Sequence, residues 1–252
     1  MVVATAVPLL AVPGSASAAL APVDQAFTTP GRYEFTVPQG VTSLHVQALG
    51  GGGGGGGGGG NNDGRLSGAG GGGGSSGGAV SCTATVKGGD KLTVVVGNGG
   101  AGGEGGTGKY HNGKPGKDGS DSGVADMEHW RLLADARHGL PGRGGEASGT
   151  WESGYGGAGG ASNRTHLVCQ RSGRVLETGE AGTRGHDARI NDPGQGGAGG
   201  YLSKYPKPCL FAGAGGGGGR GAGNSGGGDP HQRPSEPGRD GKSGCVVLTY
   251  TP

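Results

Sequence analysis

Apolar and polar positions alternate strictly in only a few stretches of this chain, and those stretches frame the rest. Tyr33, Phe35 and Val37 alternate with Glu34 and Thr36. After Pro38-Gln39-Gly40, Leu44, Val46 and Ala48 alternate with His45 and Gln47. This period of two is that of half-buried strands, and a Pro-x-Gly between them favours a tight turn, so 27–49 is expected to form a hairpin. A second hairpin is predicted over 80–96: Val80, Cys82, Ala84 and Val86 alternate, Gly88-Gly89 turns the chain, and Leu92, Val94 and Val96 return. A final strand, CVVLTY, spans 245–250.

A period of three replaces the period of two between these strands. Positions 50–60 are eleven successive glycines, and in GNGGAGGEGGTG, 97–108, glycine recurs on two positions of every three. A polyproline II helix has three residues per turn, so Gly97, Gly100, Gly103 and Gly106 line one face and Gly99, Gly102, Gly105 and Gly108 a second. Asn98, Ala101, Glu104 and Thr107 fall on the third. GGAGGA at 156–161 and GQGGAGGY at 194–201 repeat the rhythm. Two bare faces admit two close neighbours, whose backbones supply the hydrogen bonds that such a helix lacks internally. Ordering each residue costs about 1–2 kcal/mol, and each hydrogen bond returns about 1 kcal/mol net. Closure by strands and disulfides therefore decides between an ordered bundle and a flexible coil. The expected fold class is mainly β and irregular: a small antiparallel β framework carrying a glycine-rich polyproline II bundle, in one domain over 19–252.

The region 109–195 has a different texture, dense in charge and histidine, and reads as a decorated insert. Within it Met127, Trp130 and Leu133 or Ala134 recur at helical spacing, which predicts a helix over 126–137 ended by Gly139. Short triplet runs, GKPGKDG at 113–119 and GRDGKSG at 238–244, have the collagen period but are too short for a triple helix.

Composition narrows the function classes. Glycine makes up 70 of 252 residues and only 30% are apolar, so the hydrophobic core must be small. A net charge of +2 gives no reason to expect nucleic acid as a partner. Residues 1–18 form an apolar run followed by Ala16-Ser17-Ala18, the pattern of a signal peptide, and no segment is long enough to span a membrane. The protein is thus expected to be secreted and extracellular. Four cysteines, Cys82, Cys169, Cys209 and Cys245, fit two disulfides there, with three connectivities open.

Glycine motifs match by accident in such a chain. GNGGAG at 97–102 fits a dinucleotide fingerprint but leads into more glycine rather than a helix, and GRDGKS at 238–243 lacks the first glycine of a phosphate loop. GNSGG at 223–227 offers Ser225 as a nucleophile without the strand and helix an elbow needs. The seven histidines show no metal-ligand spacing. No cofactor, metal or catalytic activity is expected.

The order of features, FTVPQGVTSL, polyglycine, VKGGDKLTVVVGNGGAGG and a terminal GCVVLTY, resembles the glycine-rich domain of secreted bacterial proteins and of phage tail or adhesin proteins over 27–250. Its polyglycine bundle is similar to those of polyglycine antifreeze proteins and of anaplastic lymphoma kinase receptors. The resemblance implies a structural or adhesive role with no catalytic residues. The expected function is that of a structural or surface-binding, adhesin-like protein whose partner is a cell-surface glycan or protein. Candidate contacts are Asn98, Glu104, Trp151, Tyr155, Gln195 and Tyr201, exposed amides, acids and aromatics. Ice binding is the alternative of another class, which a regular Thr face would favour, and a serine hydrolase using Ser225 is a third.

Overall fold

The computed structural model describes residues 20–61, 66–149, 152, 154–162, 168–169, 172–203, 205–223 and 233–252, with the backbone alone for 168–169 and 172–177. The expected leader 1–18, Trp151 and Ser225 lie outside the described residues, as does the side chain of Cys169.

Among the described residues ten strands form two antiparallel five-stranded sheets. They are β1 (Val23–Phe27), β2 (Gly31–Thr36), β3 (Ser43–Leu49), β4 (Ala79–Thr85), β5 (Lys91–Val96), β6 (Ser122–Asp126), β7 (Arg131–Ala136), β8 (Val168–Cys169), β9 (Ser172–Glu177) and β10 (Cys245–Tyr250). One sheet has the order β1-β10-β3-β4-β9 and the other β2-β5-β6-β7-β8. Leu44, Val46, Val80, Cys82 and Leu248 from the first sheet pack with Leu92, Val94, Val124 and Leu133 from the second in one buried cluster. The alternating residues thus form the filling of a sandwich.

Neither predicted hairpin forms. β2 pairs with β5, Tyr33 opposite Val94, while β3 pairs with β4, Val46 opposite Cys82. Alternation decides which face of a strand is buried but not which strand lies beside it. The chain crosses between sheets at 37–42 and again at 86–90, and the two crossings are tied by Val37 N–H to Asp90 O (2.9 Å) and Gly89 N–H to Val37 O (2.8 Å).

The predicted helix 126–137 is instead the β6–β7 hairpin, with 127–130 as its turn. A register shift at Val124/Ala125 places Leu133 and Ala134 both inside, which hides the period of two and leaves an accidental helical spacing. Met127 and Trp130, assigned to the helix's apolar face, are exposed, Trp130 by 86%. The only helical turn among the described residues is a 3-10 turn, Lys207–Cys209.

The glycine segments are extended, with bonds between segments that repeat every third residue, the polyproline II signature. Ten such helices are described, here numbered I (50–60), II (68–78), III (97–107), IV (111–120), V (139–148), VI (154–160), VII (179–187), VIII (194–200), IX (213–222) and X (236–244). Helix I donates in rotation to three neighbours over 2.8–3.0 Å. Gly50, Gly53, Gly56 and Gly59 bond to II; Gly51, Gly54, Gly57 and Gly60 to IV; Gly52, Gly55 and Gly58 to X. Its carbonyls accept in the same rotation from III, V and IX, for example Gly55 O from Gly103, Gly54 O from Gly142 and Gly56 O from Gly219. Helix I therefore has six neighbours. Helix II also has six: it accepts from I, VI and VIII and donates to V, VII and IX.

Two adjacent points of a hexagonal array share two neighbours and are enclosed by eight, and eight helices enclose I and II here. Bonds between consecutive members close the ring III-IV-V-VI-VII-VIII-IX-X and back to III, so the ring follows chain order. The region 109–195 is accordingly no insert, because it supplies helices IV to VII and strands β6 to β9.

Glycine content follows position in this array. All three faces of helix I meet backbone, and a Cβ added anywhere in it would come within 3.0 Å of a carbonyl group, as Gly56 would with that of Arg143. Helix III keeps the two glycine faces inferred from its rhythm: Gly100 and Gly103 abut Lys117 and Lys114 of IV, and Gly99 and Gly102 abut Gly241 and Gly238 of X. Asn98, Ala101, Glu104 and Thr107 point to solvent. The triplet helices IV and X need glycine only where they face helix I, at Gly113, Gly116, Gly119, Gly238 and Gly241. Helix II tolerates two buried serines at its sandwich end because each replaces a backbone acceptor: Ser75 Oγ accepts from Leu140 N–H and Ser76 Oγ from Glu180 N–H, both at 2.7 Å.

The sandwich seeds the bundle. β3 runs directly into I, II into β4, β5 into III, IV into β6, β7 into V and X into β10. The segment 201–212 crosses outside the first sheet, where Leu202 and Cys209 bury against Leu49, Ala79 and Val247. A disulfide from Cys209 to Cys245 of β10, with Cα atoms 5.9 Å apart, closes a loop of 36 residues that contains IX and X. Such a closure contributes about 3–4 kcal/mol. Cys82 is disulfide-bonded as well.

Gly56→Ala is expected to destabilise the protein by about 2–3 kcal/mol or prevent folding, since no neighbour of helix I can retreat without breaking its own bonds. Ala101→Ser, on the exposed face of III, should change stability by less than about 0.5 kcal/mol. Equilibrium denaturation of the two variants checks the difference, and equal effects would contradict the array.

Candidate functional site

The side chains expelled from the bundle interior gather on its outer faces and at the end remote from the sandwich. The most polar concentration lies there, on helix VII and the turn that follows it. Asp187 Oδ1 accepts from Gly156 N–H of VI and from Arg184 Nη2, both at 2.8 Å, while Arg184 Nε donates to Gly156 O at 3.2 Å. His186 N–H donates to Gln195 O of VIII at 2.8 Å. These bonds lock VI, VII and VIII together and place Tyr155 and Gln195 on either side of VII near its remote end.

The chain then reverses over 189–192, with Arg189 and Asp192 exchanging backbone bonds. Asn191 takes the left-handed conformation there (φ 57°), which asparagine tolerates better than most residues. The reversal leaves a cleft of about 530 Å³ lined by Arg184, His186, Asp187, Arg189, Asp192, Pro193 and Gln195. Two arginines balance two aspartates, so donors and acceptors converge without a dominant charge. That chemistry suits a neutral ligand rich in hydroxyl or amide groups better than an anion.

A second cleft, of about 470 Å³, opens at the end of helix I between III, IX and the start of X; Asn61, Glu104, Thr107, Arg233 and Pro237 are among its walls. The two clefts flank Gly223, which donates to Arg233 O (3.0 Å) and lies against Pro193. Glu104 also bonds Lys114 Nζ at 2.6 Å, and this bond and charge hold its carboxyl below the usual range.

The expected contact residues therefore do not form one site. Gln195 and Glu104 line different clefts, and Tyr155, exposed on helix VI, is among the walls of neither. Asn98 is exposed on III close to β5, and Tyr201, 63% exposed, lies at the sandwich end beside the 201–212 crossing. Arg184, His186, Asp187, Arg189 and Asp192 were not singled out from the sequence as contacts. Their signal was the unusual charge density of EAGTRGHDARIND, 180–192, inside a glycine-phased chain.

At the opposite pole the β6–β7 turn holds Trp130 out into solvent on a left-handed backbone (φ 53°). The turn is fastened by Asp126, whose buried carboxylate accepts from His129 N–H (3.1 Å), Arg131 Nη2 (2.6 Å) and Arg131 Nε (3.2 Å), with His129 Nδ1 at 2.9 Å. Asp121 repeats the arrangement where the hairpin enters the bundle, receiving His138 N–H at 2.9 Å and bonding the His138 ring and Arg137. Burial pushes both carboxyls up, but these bonds outweigh it and hold both below the ordinary range. Asp135 is raised, by burial first.

The sequence profile of the glycine-rich domain family matches residues 28–251, and the chain belongs to that family. No curated protein matches it at a significant level.

The carboxyl shifts fix the sign of an acid response. A lowered folded pKa contributes stability above the unfolded value and loses it as pH falls through the folded one, whereas the raised Asp135 works in the opposite sense. With Asp121, Asp126 and the fully exposed Glu104 lowered against Asp135 raised, melting temperature should drop between about pH 5 and pH 2. Asp126→Asn should lower stability at pH 7 and shrink that drop. An acid response unchanged by the variant would contradict the role given to Asp126.

Proposed function

We propose that this chain is an extracellular, adhesin-like surface-binding module that acts by holding contact groups on a rigid scaffold, with no catalytic step of its own. The observation that carries this reading is the convergence of two clefts and of Tyr155, Gln195 and Glu104 on the remote end of the bundle. Interior bonding of the backbone spares side chains for the outside, and the ring order brings residues distant in sequence together at that end. A binding end built in this way presents donors and acceptors already fixed in space, which reduces the ordering cost of association.

An extracellular setting is supported by the Cys209–Cys245 and Cys82 disulfides, which persist in oxidising compartments, and by the leader-like pattern of residues 1–18. No helix among the described residues is long and apolar enough to cross a membrane. The partner proposed is a cell-surface glycan, because the first cleft balances its charges and carries amide, imidazole and carboxylate groups.

Purified protein should be retained on whole cells or on insoluble cell-wall glycan in a pull-down. The double variant Tyr155→Ala, Gln195→Ala should lose most of that retention while melting at the temperature of the parent. Absence of retention on cells, wall glycans and surface proteins alike would overturn the reading.

A further inference from the structure

The second cleft contains a polar group that the fold leaves unanswered. Asn61 directly follows the polyglycine run and its residue is 5% exposed, yet its side-chain Nδ2 has no hydrogen-bond partner. Its backbone carbonyl is used, accepting from Tyr110 N–H at 2.9 Å, so the chain is pinned at this point, and the residue forms part of the cleft wall. A buried, unanswered amide costs about 1–3 kcal/mol, a cost that an incoming acceptor oxygen removes. The walls beside it are largely apolar, formed by Ala222, Pro234 and Pro237. Glu104 and Thr107 supply a carboxylate acceptor and a hydroxyl among the same walls.

One small group answers all three features: a carbonyl oxygen for the Asn61 amide, a methyl for the prolines, and neighbouring hydroxyl donors for Glu104. We infer that this cleft binds the acetamido group of an N-acetylated saccharide, with Asn61 Nδ2 donating to the acetamido carbonyl and Glu104 accepting from the sugar. This deepens the surface-binding reading and rests on it, naming the class of glycan. The volume, about 470 Å³, admits one or two sugar rings.

Titration calorimetry with the N-acetylglucosamine trimer and with the glucose trimer, which lacks the acetamido groups, tests the assignment. Heat is expected with the first and none with the second. Asn61→Ala should weaken binding about tenfold, the worth of one such hydrogen bond, and should not lower the melting temperature, because it removes a buried amide that no protein group answers. Absence of heat with the N-acetylated trimer, equal affinity for both trimers, or undiminished binding by Asn61→Ala would overturn the inference and leave the amide to water. If the protein is nevertheless retained on cells and on wall glycan, the surface-binding reading survives and this cleft alone is excluded. If retention fails while the trimer binds through Asn61, the surface-binding reading is the one that falls.

Discussion

Everything in this structure follows from how closely two backbones approach when neither has a side chain between them. At interior positions the space that a Cβ would need is already occupied by the carbonyl of a neighbouring helix. That proximity is what allows an extended helix, with no hydrogen bonds of its own, to have its amides and carbonyls answered from outside. Three residues per turn send successive bonds to three different neighbours, so full enclosure demands glycine at all positions of helix I and at most of helix II, where Ser75 and Ser76 stand because their hydroxyls take over backbone acceptor roles. Partial enclosure demands it at two positions of three or at one. Helix I is the enclosed case, and the ring helices III and IV are the other two, their glycines marking which neighbours each meets without a side chain between.

The β-sandwich solves the complementary problem of starting the array. A bundle whose bonds return little more than the entropy they oppose needs its helices delivered in register, and the strands deliver them. Gly50 bonds to Gly78 immediately beyond the paired ends of β3 and β4, so the spacing set by one strand pair is passed to the first helix pair. Because the remaining helices join the ring in chain order, each addition lies next to the one before it. The Cys209–Cys245 bridge fastens the last two members, the first of which, IX, is reached across the outside of the sheet rather than through a strand. Function is left to the rim: residues excluded from the interior have only the outer faces and the remote loops to occupy.

Much of this was legible in the amino-acid order. The three-residue rhythm of 97–108 identified the helix type and which of its faces are bare, and the alternation around Val46 and Val94 identified core strands. What escaped was information of other kinds. Partner choice between strands is not encoded in alternation, so two crossings between sheets looked like hairpins. The bulge at Val124/Ala125 disguised β6 and β7 as a helix, and with them the exposure of Trp130. Helices with one glycine in three showed their triplet period at 113–119 and 238–244, but that period pointed to a collagen triple helix for which the runs are too short, and not to Gly113, Gly116 and Gly119 being as constrained as any glycine of III. At the remote end the individual surface residues Tyr155, Gln195 and Glu104 were readable by type. Their neighbours were not, because the ring brings Arg233 beside Asn61 and Gln195 beside His186 only after all ten helices have assembled. The importance of Asn61 lies in a missing partner, which no local pattern can show.

The central claim is that the polyglycine core is ordered by bonds between helices, and hydrogen exchange followed by mass spectrometry on peptides covering 50–60 and 68–78 addresses it directly. With the disulfides intact, amides of these peptides should exchange as slowly as those of β3 and β10, and reduction should accelerate them. Exchange at the rate of an unstructured chain, while the strands stay protected, would show that the glycine segments are not packed against one another and would contradict the account.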